Sequence, residues 1–300
     1  MKNHHWRCDQ EHDVKKIMLA TDFSERSDRA LRRATLLARQ FGASLSIVHV
    51  VDDDQPRRIV DSERDAASAL LRELRSNVQE VDGIPCEARV VLADPFAGIA
   101  RAAEEETPDL LVIGPHRRQA LRDVFVGTTA ERTIRSVTCP VLMVNAPPVG
   151  SYGHVMLTTD MSEGAERAAN VCRALGISRG ARVSLLHVFE APALHLVMGH
   201  TMPADERQAY LEDERKEASR DLAAFVKSID WRPIRQEVRQ VRNSPAEEIL
   251  TAAKEGSADL VVVGTHGRGG LGRFFLGSVA EGVLRRADRD VLAVPRCVSS

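Results

Sequence analysis

The sequence predicts an α/β fold: two tandem open-sheet domains, each a five-stranded parallel sheet with helices on both faces. Three observations carry this. Short apolar runs rich in β-branched residues, such as Asp259-Leu-Val-Val-Val-Gly264, alternate with helical patterns, as strands buried on both faces of a parallel sheet do. The whole series occurs twice in 300 residues. A glycine-rich stretch, Gly264-Thr-His-Gly267-Arg-Gly-Gly-Leu-Gly-Arg-Phe-Phe-Leu-Gly277-Ser278, joins a buried strand to a helix start. Glycines let backbone N–H groups turn towards an anion, and a helix N-terminus adds partial positive charge.

In the first copy, Ile17 to Thr21 reads as a strand. Ser24 or Ser27 starts a helix with an apolar face of Ala30, Ala34, Leu37 and Phe41, ended by Gly42. Leu45 to Val50 is the second strand, followed by a polar helix with Ala69, Leu70 and Leu74 expected inward. Glu87 to Leu92 is the third strand, and Asp94-Pro95 opens a helix with proline at its first position. Leu110 to Gly114 is the fourth strand, Thr128-Thr-Ala-Glu131 caps the last helix, and Val141 to Val144 is the fifth strand.

The second copy repeats these landmarks. Lys16-Ile-Met-Leu-Ala-Thr-Asp22-Phe-Ser24 returns as His154-Val-Met-Leu-Thr-Thr-Asp160-Met-Ser162, and Asp109-Leu-Leu-Val-Ile-Gly114 returns as Asp259 to Gly264. Ser244-Pro-Ala-Glu247 and Ser278-Val-Ala-Glu281 read as capping boxes. Between its second and third strands lies an apolar insertion, Phe189 to Met202, expected as a long loop beside a charged helix from Asp205 to Lys227. The expected organisation is a flexible tail over 1–13, domains over 14–146 and 152–297, and a Pro/Gly linker, Asn145 to Ser151, between them.

The formal net charge of −2 argues against nucleic acid as a partner, and the arginines Arg26, Arg29, Arg32, Arg33 and Arg39 read as a solvated helix face. Five scattered cysteines without a Cys-x-x-Cys pair argue against a disulfide framework or zinc site and fit a reducing cytoplasm. His4, His5, Cys8 and His12 fall in the tail and are read as part of it rather than as a metal site. No apolar run reaches the length of a membrane span. Gly267-x-Gly269-x-x-Gly272 is a poor dinucleotide fingerprint, because the helix signal waits until Ser278. No Walker lysine or nucleophile motif follows the glycines, so catalytic residues are not assigned and fast phosphoryl transfer is not expected.

Gly264-x-x-Gly267, nine residues, then Gly277-Ser278 resembles the ATP-binding signature of the universal stress protein family. The early Thr-Asp, the His-Val ending the second strand and the repeat extend that resemblance over nearly the whole chain, as in tandem members of the family. The resemblance implies strand order 3-2-1-4-5 and an adenine nucleotide, ATP, with Mg2+ as an accompanying ion. It places Thr159 and Asp160 by the adenosine and the backbone of Val188 by the adenine. Gly264, Gly267, Gly277 and Ser278 would hold ribose and phosphates, with His266, Arg268 and Val279 in the same contact set. It also implies pairing of the two halves through their fifth strands, and a homodimer stays open. The expected function is an ATP-binding stress regulator; the alternatives are a slow hydrolase and a scaffold working through its surfaces.

The first copy departs from the signature. Arg117 stands where the second glycine is expected and Pro115 removes an N–H. Its counterparts Thr21, Asp22, Val50, Gly114, Gly127 and Thr128 are therefore expected to form a weaker or empty site. Asp22 and Asp160 also fit Asx turns, and His49 and His187 fit satisfied core histidines.

Overall fold

The structure, a computed structural model, describes residues 14–115, 129–195, 202–231, 233–266 and 276–296. The N-terminal half runs β1 (Lys16–Ala20), α1 (Glu25–Phe41), β2 (Ser44–Val51), α2 (Arg57–Glu80), β3 (Cys86–Leu92), α3 (Pro95–Glu106), β4 (Leu110–Ile113), α4 (Thr129–Ser136) and β5 (Val141–Met143). The C-terminal half runs β6 (His154–Thr159), α5 (Glu163–Ala174), β7 (Arg182–Phe189), a short α6 (Pro192–His195), α7 (Ala204–Ser228), β8 (Arg235–Gln240), α8 (Pro245–Glu255), β9 (Leu260–Gly264), α9 (Ser278–Arg286) and β10 (Asp290–Val294).

Within each half the strands are parallel, in the order expected for 3-2-1-4-5. The two sheets are not separate. β5 and β10 pair antiparallel, with Leu142 opposite Leu292, and make one ten-stranded sheet, β3-β2-β1-β4-β5-β10-β9-β6-β7-β8. Every residue of both strands is buried, so each half covers the edge the other would expose. Strand side chains alternate between two cores. Ile17, Leu19, Val155 and Leu157 face α1, α2, α5 and α7; Met18, Met156, Val261 and Val291 face α3, α4, α8 and α9.

Caps follow the sequence at several ends. Ser24 caps α1 and Gly42 ends it at φ 65°; Asp94 caps α3 ahead of Pro95; Ser244 caps α8. Other expectations fail for a common reason: the residues are used over long range. Glu131 is buried and accepts from Arg285 of the other half at 2.8 and 3.2 Å. Glu281 accepts from Arg135 at 3.2 Å. These are reciprocal pairs across the pseudo-twofold junction. Glu247 reaches Arg286 at 2.7 Å instead of its own helix start. Arg33 is buried rather than solvated, pairing with Asp290 at 3.3 Å and stacking on Tyr152 at 4.0 Å. In α2 the inward face is Val60, Ala67, Leu71 and Val78, with Leu74 half-buried; Ala69 and Leu70 point outward. Thr128 and residues 196–201 of the insertion lie outside the described residues, as do 1–13.

Asp290 fastens the linker. Fully buried, it accepts from the N–H groups of Asn145 and Ala146 at 3.0 and 3.1 Å and from the Tyr152 hydroxyl at 2.6 Å. Arg33 and Arg29 donate to the carbonyls of Gly150 and Asn145. Asp290→Ala strands these donors and a buried guanidinium, and is expected to lower unfolding stability by about 3–5 kcal/mol, read as a fall in the urea midpoint without loss of the native far-ultraviolet spectrum.

Candidate functional site

The strand order reverses between β1 and β4 and between β6 and β9, and parallel sheets open a crevice there. In the C-terminal half the crevice is a cavity of about 580 Å³, within the range of small-molecule sites. Thr159 and Asp160 enter from the end of β6, His187 and Val188 from β7, Gly264 and His266 from β9, and Gly277, Ser278 and Val279 from the start of α9. These are residues the sequence singled out, brought to one cavity from four elements; Gly267 and Arg268 lie outside the described residues. The spacing did not reveal the apolar wall of Leu186, Phe189, Ile249 and Val263, or Glu190 at the rim.

Local chemistry shapes the turn after β6. Thr159 Oγ1 accepts from the Met161 N–H at 2.8 Å, and Asp160 Oδ1 accepts from the Ser162 N–H at 3.1 Å and its hydroxyl at 2.5 Å. This Asx turn holds Met161 at φ 63°, a left-handed conformation that a non-glycine residue adopts at a cost. The N-terminal half repeats it with Thr21, Asp22 and Phe23 at φ 57°. His187 and His49 each place Nδ1 at 2.8 Å from the carbonyl oxygen ending the first strand, Thr159 and Thr21 respectively. A carbonyl only accepts, so Nδ1 carries the proton in both rings.

The glycine of decisive geometry is one the sequence reading missed. A Cβ on Gly164, in the first turn of α5, would fall inside the van der Waals envelope of the His266 carbonyl oxygen. A Cβ on Gly264 would sit 3.0 Å from the Gly164 carbonyl oxygen. The chain leaving β9 thus passes directly over the start of α5. It is held there by Thr265 N–H to Val294 O at 3.0 Å and Gly277 N–H to Thr265 O at 2.8 Å. Ser278 is not the helix cap: that position is Gly277, and among the described residues no side chain caps α9. The start of α9 lines the cavity with no described side chain bonded to its N–H groups. His266 Nδ1 bonds Thr265 Oγ1 at 2.9 Å, while its Nε2 is buried with no partner among the described residues.

The N-terminal crevice is smaller, about 300 Å³, with Thr21, Asp22, Val50 and Gly114 in its lining; Gly127 and Arg117 lie outside the described residues. Arg26 occupies the place of Gly164 and Pro115 that of Thr265. Arg26 thus carries a side chain where the other half has none, and proline has no N–H to make the strand-extending hydrogen bond of Thr265. Ser27, where the other half has Ala165, adds a donor to Asp22. Burial opposes the charge of Asp22, but hydrogen bonds from Ser24 and Ser27 outweigh it and hold the carboxyl below its ordinary 3.8.

The fold and crevices define a tandem, pseudo-symmetric α/β protein with ligand-sized openings at both switch points. The universal stress protein family model matches it twice, over residues 13–145 and 151–295, and the chain belongs to that family. A universal stress protein of Mycobacterium tuberculosis is 25% identical over 287 residues, spanning 90% of this chain and 94% of the relative. One from Thermus aquaticus is 34% identical over 140 residues, 47% of this chain and 96% of its own length. The crystal structure of a universal stress protein from Archaeoglobus fulgidus matches with a TM-score of 0.67 at 21% identity, covering 94% of this chain and 98% of that one.

Ser27→Ala removes a donor from Asp22, so its carboxyl is expected to titrate higher in a carbon-13 nuclear magnetic resonance titration. Because the folded value is depressed, the stability Asp22 contributes is present above 3.8 and lost as pH falls through the folded value. In the variant this acid loss sets in at higher pH; an unmoved titration would show that Ser27 does not hold the charge.

Proposed function

We propose that the C-terminal half holds ATP and that the chain is a nucleotide-binding stress regulator. The start of α9, where no described side chain caps the helix, carries the reading: its N-terminal residues share one cavity with Asp160 and Val188. A helix N-terminus with exposed N–H groups suits an anion, and the other end of the cavity offers an apolar wall for a flat base and a carboxylate for sugar hydroxyls. The Nε2 of His266, without a partner among the described residues, supplies one more polar contact beside the phosphates. Gly267 and Arg268 extend the same loop in sequence. Among the described residues no cluster of three or more metal-ligating side chains occurs, so Mg2+ in this reading arrives on the phosphates. No lysine or arginine lines the described cavity, and the proposal is binding that biases conformation or contacts rather than rapid turnover.

Titration calorimetry with ATP tests this. The intact chain is expected to bind one equivalent with micromolar affinity. Gly164→Arg, which copies Arg26, displaces the His266 carbonyl and is expected to weaken ATP by about a hundredfold, or roughly 3 kcal/mol, with the far-ultraviolet spectrum unchanged. Absence of ATP binding by the unmodified chain, or full affinity in Gly164→Arg, would refute the reading.

A further inference from the structure

The sheet ends at β3, whose free edge is closed at both ends and open in the middle. Leu45 N–H donates to Pro85 O, and Ala93 N–H donates to Val51 O. Alternate residues of a parallel strand bond the same neighbour, so Glu87, Arg89 and Val91 turn their backbone groups to β2. Cys86, Ala88, Val90 and Leu92 turn theirs outward. The Cys86 carbonyl accepts from Gln79 Nε2 of α2 at 2.9 Å. The Leu92 carbonyl accepts from Arg101 Nη2 of α3 at 3.1 Å. Between these two, no described group bonds the N–H or C=O of Ala88 or Val90. Unclaimed edge groups are a template for another strand.

Ala88 and Val90 line a groove of about 340 Å³ between β3 and α2, to which α2 contributes Asp65, Ser68, Arg72 and Arg75. Ala67 packs with Val90 and Leu92, and Gln79 reaches Cys86, so α2 runs opposite to β3. The two arginines therefore lie towards the Cys86 end and Asp65 towards the Leu92 end. Arg89 is already held by Glu105 and Glu106 at 2.8 and 3.0 Å, and Asp65 by Arg64 at 3.0 Å. Arg72 and Arg75 are exposed and have no carboxylate partner among the described residues. Arg72 donates to the Ser68 carbonyl of its own helix at 3.3 Å.

The fold does not need these charges. Ala67 and Leu71 match Ala218 and Leu222 of α7 in spacing and burial, which sets Arg72 and Arg75 against Ala223 and Val226. The same packing of helix on edge strand is made there without either guanidinium.

We propose that this groove docks an extended acidic segment of a partner protein, which adds a strand beside Ala88 to Val90 and presents a carboxylate to Arg72 and Arg75. Main-chain bonds hold such a segment, and the side-chain contacts select it. Glutamates at alternate positions would fall on one face of the added strand, the face turned to α2.

The test uses the full chain and two synthetic peptides, Thr-Val-Glu-Val-Glu-Val-Thr and its twin with lysine for glutamate. The acidic peptide is expected to bind about tenfold more tightly than the twin, the scale of two partly exposed ion pairs. Amide exchange, followed residue by residue by nuclear magnetic resonance, is expected to slow at Ala88 and Val90 when it binds. Arg72→Ala with Arg75→Val, which copies the other half, is expected to lose the preference and keep the thermal midpoint. Arg72→Glu with Arg75→Glu is expected to prefer the lysine peptide. Equal affinity for the two peptides, no binding of either, unchanged exchange at Ala88 and Val90, or a preference that survives both double variants would overturn the proposal. Self-association in sedimentation that Arg72→Glu with Arg75→Glu abolishes would also overturn it, giving the groove to a second copy of the chain.

Discussion

The His266 carbonyl occupies space that any side chain at position 164 would need. That close passage sets the course of the chain from β9, and everything distinctive about the C-terminal crevice follows from it. With the carbonyl lying over α5, Thr265 extends the ladder to Val294 and Gly277 closes back on Thr265. The start of α9 lies at the crevice, and no described side chain caps it. A single methyl at position 164 would push against backbone, which cannot rotate away as a flexible side chain can.

The same sheet thus carries two unequal openings. Duplication explains the shared parts: the Asx turn, the left-handed residue after it and the histidine bonded to the strand-ending carbonyl recur in both halves. Symmetry is also kept where the halves meet, in the Leu142–Leu292 register and the exchanged Glu–Arg pairs. It is broken where the ligand tail would lie, by Arg26 and Pro115, and at the join, where Asp290 takes the place of Pro140 and ties the linker down. Because β5 and β10 use up each other's edge, the sheet that remains open ends in β3 and β8. The strand β8, Arg235–Gln240, carries charged residues that discourage further edge pairing.

Much of this was readable beforehand. Strand positions, the repeat, the switch-point crevice and most of its polar lining follow from periodicity and from residues close to one another in sequence. The failures share a physical cause, which is partnership at long range. Ser278-Val-Ala-Glu281 has the spacing of a capping box, yet Glu281 is drawn to an arginine 146 positions away. The pattern put Ala69 and Leu70 inward; the packed face runs through Leu71, the residue beside them. Gly164 looks unremarkable in a helix start, because its reason lies in a carbonyl reached only after the fold closes. The first half's departure from the glycine signature, at Pro115 and Arg117, lies in the sequence itself.

A crystal structure of the chain grown with excess ATP bears most directly on this asymmetry. The phosphates should lie against Gly277 to Val279 and His266, with the His266 carbonyl still above Gly164. Phosphates seated in the N-terminal crevice, or a segment after Gly264 that abandons Gly164 when the nucleotide enters, would show that the close passage over α5 is not what builds the site.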